Sequence, residues 1–161
     1  MLAEELKNKT AAQLEELAGQ LRTELITAVR AGGGHLASNL GVVELTLALY
    51  KVFDFPKDKL IFDVGHQSYV HKLLTGRSLE GLRAQGGTSG FPDPEESGYD
   101  SFIAGHSGTS IAAGLGYCCA RDLRGENYKV ISLIGDASLG NGLALEAVFA
   151  SEKKPKNFVV V

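Results

Sequence analysis

The last third of the chain constrains the fold most. An apolar, β-branched run over 129–134 is followed by the turn GDASLGNG. A helix-forming stretch at about 142–152 comes next, and then a second apolar run over 157–161. Strand, helix, strand in that order is a βαβ unit, which requires parallel strands and, by strong default, a right-handed crossover. The expected fold class is therefore α/β, a parallel sheet flanked by helices. A further short buried strand is predicted over 59–64 (KLIFDV), with Gly65-His66-Gln67 at its C-terminal end and a helix near 68–75. At 161 residues the chain suits one domain and hardly two.

The first third reads as helical. Thr10 and Gln13 have capping-box spacing, and Leu14, Leu17, Leu21, Leu25 and Val29 follow at helical intervals. This predicts an amphipathic helix over 11–30, stopped by Gly32-Gly33-Gly34. A second apolar helix is expected over about 42–53. Residues 76–104 show no apolar period, and loops of that length in compact domains are usually functional or mobile. GHSGTS then opens a helix of small residues over 111–123, whose glycines and alanines suggest close packing on a sheet.

Composition removes several classes of function. Apolar residues make up 44% and charged residues 22%, so intrinsic disorder is excluded. No apolar run is long enough to span a membrane. The net charge of −3 offers no basic surface to nucleic acid. The N-terminus MLAEELKNKT carries no secretory or transit signal, so a cytoplasmic location is expected. Cys118 and Cys119 are adjacent and read as small apolar core residues in a reducing compartment. Glycine is in excess, 20 of 161 residues against a usual share of about 7%, and clustered as if loops hug a ligand or another backbone.

The chemistry should lie at the C-terminal strand ends, which share one edge in a parallel sheet. Gly65-His66 follows one strand and Gly135-Asp136 another, while Gly105-His106-Ser107 precedes a helix. Glycine-rich backbone, a helix start and one carboxylate suit a magnesium-bound diphosphate: N–H groups take phosphate oxygens and Asp136 holds the cation. A P-loop is disfavoured because GHSGTS has no Lys. A dinucleotide fingerprint is disfavoured because the run from Gly140 lacks the third Gly.

The segments GGGHLASNLGVVELTLAL, DKLIFDVGHQSYVHKLLTGR, GGTSGFP, GHSGTSIAAGLG and IGDASLGNGLALEAV resemble, in order, the N-terminal part of the 1-deoxy-D-xylulose-5-phosphate synthase family. These are thiamine-diphosphate enzymes of the transketolase superfamily, and the resemblance covers about residues 10–161. It implies a partial N-terminal thiamine-diphosphate domain, with thiamine diphosphate and Mg2+ as cofactors. It implies pyruvate and glyceraldehyde 3-phosphate as substrates, condensed with loss of carbon dioxide for isoprenoid and thiamine precursors. His35 and His66 match the family's active-site histidines, His66 toward the cofactor and His35 toward the reacting oxygen. Gly105, His106 and Ser107 match a cofactor-contacting segment. Asp136 matches the magnesium ligand, with Ala137 and Ser138 at the diphosphate.

Two departures stand out. The family's GDG reads Gly135-Asp136-Ala137, and Ala at a turn needing positive φ implies strain. The Asn that completes the family's magnesium site, and the pyrimidine-binding domain with the cofactor-activating Glu, are not among these residues. The expectation is a split subunit with a companion chain, a truncated piece or a decayed gene product, inactive alone and prone to form a homo-oligomer. A transketolase-like subunit and a non-catalytic interaction module are the alternatives.

Several residues carry plainer readings. His71 is expected to be a partly buried histidine. His106 and Ser107 are potential N-caps, and Asp136 is a potential cap for a helix starting near Leu139. Glu44 reads as a satisfied core or interface residue. Asp63 is expected to accept backbone hydrogen bonds at its strand end.

Overall fold

The computed structural model describes residues 2–153 and 155–161. They divide into two compact units: one comprises the described residues up to Asp54 together with His66–Phe91, the other Phe55–Gly65 and Pro92–Val161.

The first unit is helical. Helix α1 (Leu2–Glu5) leads through a 3-10 turn into α2 (Ala11–Gly32), followed by α3 (Leu36–Leu40), α4 (Val43–Val52) and α5 (Tyr69–Leu74). The capping box is present: Gln13 N–H donates to Thr10 Oγ1, and Thr10 N–H donates to Gln13 Oε1. Leu17, Leu21 and Leu25 of α2 and Val43, Leu47 and Tyr50 of α4 are buried, as their spacing predicts. The helix expected over about 42–53 is α4; the short α3 before it, C-capped by Gly41, is an additional element. His71 is fully buried rather than partly so, its Nδ1 2.7 Å from Tyr50 Oη. Glu44 is not a core residue. Its side chain faces solvent and forms a two-pronged pair with Arg22 at 2.5 and 2.7 Å.

The second unit holds the sheet. Strands β1 (Lys59–Phe62), β2 (Val130–Leu133) and β3 (Phe158–Val160) run parallel in that order, with Phe62 beside Leu133 and Ser132 beside Val160. Helix α6 (Ser110–Leu123) covers the sheet. A β-carbon at Gly114 would stand 2.5 Å from Ser132 Oγ and 2.6 Å from the Phe158 ring, so the close approach expected of the small residues is real there. Gly116 faces open space and takes no part. Between β2 and β3 lie α7 (Asp136–Leu139) and α8 (Gly142–Ala150). The predicted open turn GDASLGNG thus contains a helical turn of its own.

The adjacent cysteines part company. Cys118 packs with Ile61 and Val130 in the core, whereas the next residue, Cys119, is exposed, correcting the reading of both as core. Apolar side chains are also exposed on α8 and β3, Phe149 at 72% and Val160 at 44% among them. Residues 76–104 form turns with no helix or strand, as expected. No helix among the described residues is long and apolar enough to cross a membrane.

Two outcomes follow from these placements. Burial pushes the Cys118 thiol up, with Arg121 only opposing it, so the thiolate fraction is small as well as enclosed. Cys119 reacts first with a thiol reagent in the folded protein, and Cys118 reacts only on unfolding; peptide mass spectrometry after a timed pulse reads this. The Arg22 hydrogen bond holds the Glu44 carboxyl below its ordinary value of 4.5. A lowered folded-state value stabilises the protein above 4.5, and that stabilisation is lost as pH falls through the lowered value. Glu44→Gln therefore costs less than about 1 kcal/mol at neutral pH, since both groups face solvent, and nothing in acid or high salt. Urea titrations at the two pH values measure it.

Candidate active site at the strand ends

In the helical unit the site residues gather around a buried amide. His35 sits at the N-cap of α3 and His66 just before α5. Their rings meet edge to face with centroids 4.9 Å apart. Asn39, one helical turn beyond His35, is 0% exposed. Its Nδ2 donates to the carbonyls of His35 and His66, both at 2.8 Å, and its Oδ1 accepts from Tyr69 N–H at 2.8 Å. One side chain thereby fixes the backbone of two histidines 31 positions apart in sequence (66 − 35). The His66 ring is held as well, Nε2 lying 3.1 Å from Ser38 Oγ. Ahead of His35, Gly33 has φ 76° and ψ 177°, a region open essentially to glycine alone. Gly34 has φ 133°, and a β-carbon there would stand 2.8 Å from the Tyr69 hydroxyl.

Sequence reasoning singled out both histidines, which the structure brings together, and missed Asn39. The available signal was a polar amide four residues after His35 in a short apolar segment, which reads equally as a helix-surface residue.

In the sheet unit the turns gather at the carboxyl edge. Beyond β1, Asp63 is almost fully buried, and its Oδ1 and Oδ2 accept from Gly108 N–H (2.9 Å) and Ser110 N–H (3.0 Å). This bears out the expectation for Asp63 and corrects the reading of His106 or Ser107 as the cap of α6. Thr109 holds the N-cap position without a side-chain bond, and the carboxylate from β1 supplies the acceptors. Gly105, His106 and Ser107 are exposed, Gly105 with φ 95° and open space where a side chain would stand.

Beyond β2, Asp136 is exposed and is the first residue of α7. Asn141 is the residue that caps α8, accepting from Leu143 N–H at 3.0 Å, so Asp136 is not the cap of that helix. Ala137 is helical with no positive φ, so the expected strain of the Ala substitution is absent. The two turns adjoin: a β-carbon at Gly108 would lie 2.6 Å from Asn141 Cγ.

The donor set can be tested against a magnesium diphosphate. Exposed N–H groups, the Ser107 hydroxyl and open space at Gly105 fit phosphate oxygens. Among the described residues no group of three or more His, Cys, Asp or Glu gathers to hold a metal. Asp136 therefore offers a single protein carboxylate, which fits a cation held mainly by the diphosphate.

These features define an α/β protein whose glycine-rich turns lie at the carboxyl edge of a parallel sheet. The particular family follows from comparison with known proteins. Residues 2–161 match the sequence model of 1-deoxy-D-xylulose-5-phosphate synthase. The synthase of Pelotomaculum thermopropionicum is 55% identical over 159 residues, covering 98% of this chain and 25% of that protein. The synthase of Dictyoglomus turgidum is 56% identical over 146 residues, 89% of this chain and 24% of that protein. Synthase 1 of Geobacter metallireducens is 54% identical over 159 residues, 98% and 25%. The chain belongs to the 1-deoxy-D-xylulose-5-phosphate synthase family and corresponds to its N-terminal part. It spans about a quarter of the length of the curated relatives it matches. The transketolase-like and interaction-module alternatives give way to this assignment.

Asn39→Ala takes the side-chain partner from the His66 carbonyl and the Tyr69 N–H, while the His35 carbonyl keeps the residue-39 N–H at 3.4 Å. It is expected to cost at least about 2 kcal/mol, since each unpaired buried group costs about 1–3 kcal/mol. Denaturant unfolding measures the loss, and the His35 and His66 ring resonances shift more than that of His106.

Proposed function

We propose that the chain supplies the diphosphate-binding part of a thiamine-diphosphate-dependent synthase that condenses pyruvate with glyceraldehyde 3-phosphate. The observation that carries this reading is the open turn Gly105–Ser107 beside the Asp136 turn, in a chain of this family. When bound, thiamine diphosphate supplies the carbanion chemistry that lets pyruvate lose carbon dioxide.

The chain's own residues bind and orient. The backbone of Gly105 and His106, the Ser107 hydroxyl, and Ala137 and Ser138 take the diphosphate oxygens. Asp136 would hold the magnesium ion that accompanies the diphosphate. His66, its Nε2 steadied by Ser38, contacts the cofactor, and His35 lies edge-on beside it. His35 is exposed, so its imidazole can approach the reacting oxygen of a substrate and donate or withdraw a proton there.

The pyrimidine-binding domain and its activating carboxylate, which the family resemblance implies, belong to the same reading. In this reading a companion chain or domain carries that carboxylate. Association into a homo-oligomer fits the apolar side chains exposed on α8 and β3. A cytoplasmic location, with both cysteines as free thiols, belongs to the same reading.

The test replaces the matching quarter of the Pelotomaculum thermopropionicum synthase with this chain. The chimera releases carbon dioxide from pyruvate when glyceraldehyde 3-phosphate, thiamine diphosphate and magnesium are present, and the 161-residue chain alone does not. Asp136→Ala in the chimera lowers turnover by about a hundredfold or more, as loss of charge stabilisation at a metal does. A chimera that folds and binds magnesium but never consumes pyruvate overturns the proposal.

A further inference from the structure

The turn between residues 105 and 110 is held at both ends and free in the middle. At its start Gly105 N–H donates to the Val64 carbonyl at 2.9 Å. At its end Gly108 and Ser110 N–H donate to the two carboxylate oxygens of Asp63 at 2.9 and 3.0 Å. All three bonds reach two consecutive residues just past β1. Between the anchors, among the described residues, the N–H groups of His106 and Ser107 and the Ser107 hydroxyl take no partner from the chain. The anchoring carboxylate is 1% exposed, so it does not itself face a ligand.

We infer that Asp63 is the positioning residue of this turn: its carboxylate, buried at the end of β1, fixes the backbone so that the His106 and Ser107 N–H groups and the Ser107 hydroxyl stand together as an anion cradle. The inference rests on the diphosphate reading above.

The chemistry explains why a carboxylate is needed. Two N–H groups converge on one side chain, and only a group with two acceptor oxygens and no donor satisfies both. An amide of the same shape accepts from one and turns its own N–H toward the other. Glycine at 105 and 108 lets the chain enter and leave with φ of 95° and 83°. The carboxylate then removes the freedom those glycines introduce. Asn141, against Gly108, buttresses the turn from the α8 side.

The experiment uses the 161-residue chain and backbone amide NMR. In the wild-type protein, Gly108 and Ser110 amides exchange with solvent slower than His106 and Ser107 by about a hundredfold or more, as anchored and free groups differ. Equal exchange across the turn overturns the clamp without any variant, which covers the case in which Asp63→Asn does not fold. Titration with thiamine diphosphate and magnesium moves the His106 and Ser107 resonances. Asp63→Asn raises the midpoint of that titration by about tenfold or more, the size expected for losing a charge-assisted bond.

A folded Asp63→Asn protein with an unchanged midpoint overturns the role of Asp63 while leaving the diphosphate reading intact. Wild-type resonances that ignore thiamine diphosphate at millimolar concentration overturn that reading, and the cradle with it. A purely structural role for Asp63 predicts faster exchange throughout the sheet unit, a pattern that counts against the inference.

Discussion

Parallel pairing of β1, β2 and β3 is the constraint on which the sheet unit depends. It sends consecutive strand ends to the same edge, so the residues past β1 and β2 arrive as neighbours. The ladder continues beyond the strands themselves: Asp63 N–H donates to Leu133 O and Ile134 N–H to Val161 O. This continuation brings the Asp63 carboxylate to the start of α6 in a buried, dry setting where two backbone bonds to a charge are strong. Had the strands been antiparallel, the Asp63 and Asp136 turns would have lain at opposite ends.

The helical unit solves a related problem with a neutral group. Two segments carrying histidines must be kept in register, and no strand runs through either. A single buried amide does it, using both donors and its acceptor on main-chain groups. Backbone bonds from a side chain fix a chain segment irrespective of the residues it displays, so Asn39 sets the main chain at both histidines while Ser38 holds the His66 ring.

Much of this was legible in the sequence. The βαβ pattern at 129–161 announced the parallel sheet, and the capping box and leucine spacing of α2 were read correctly, because both signals are local and periodic. The strand-end turns were visible as glycine clusters. What escaped were the bonds of long sequence separation, such as Asn39 to His66 and Asp63 to Gly108. Nothing in the local pattern around Asn39 says that its amide reaches a carbonyl 27 residues on. The four-residue helix α7 escaped because GDASLGNG carries the composition of a turn. Glu44 is satisfied by Arg22, as expected, but lies outside the core, because an apolar neighbourhood in sequence says little about which face of α4 meets water. The split of Cys118 from Cys119 follows from helical geometry, which points adjacent residues about 100° apart.

The outer rim of β3 has a consequence for handling the isolated polypeptide. Its outer edge carries the exposed Val159 and Val160, with no lysine or proline inside the strand to discourage another chain from adding to it. Only a net charge of −3 keeps molecules apart at neutral pH, and it vanishes near pH 5.8. Mildly acidic buffers therefore bring self-adhesion and turbidity before they bring unfolding.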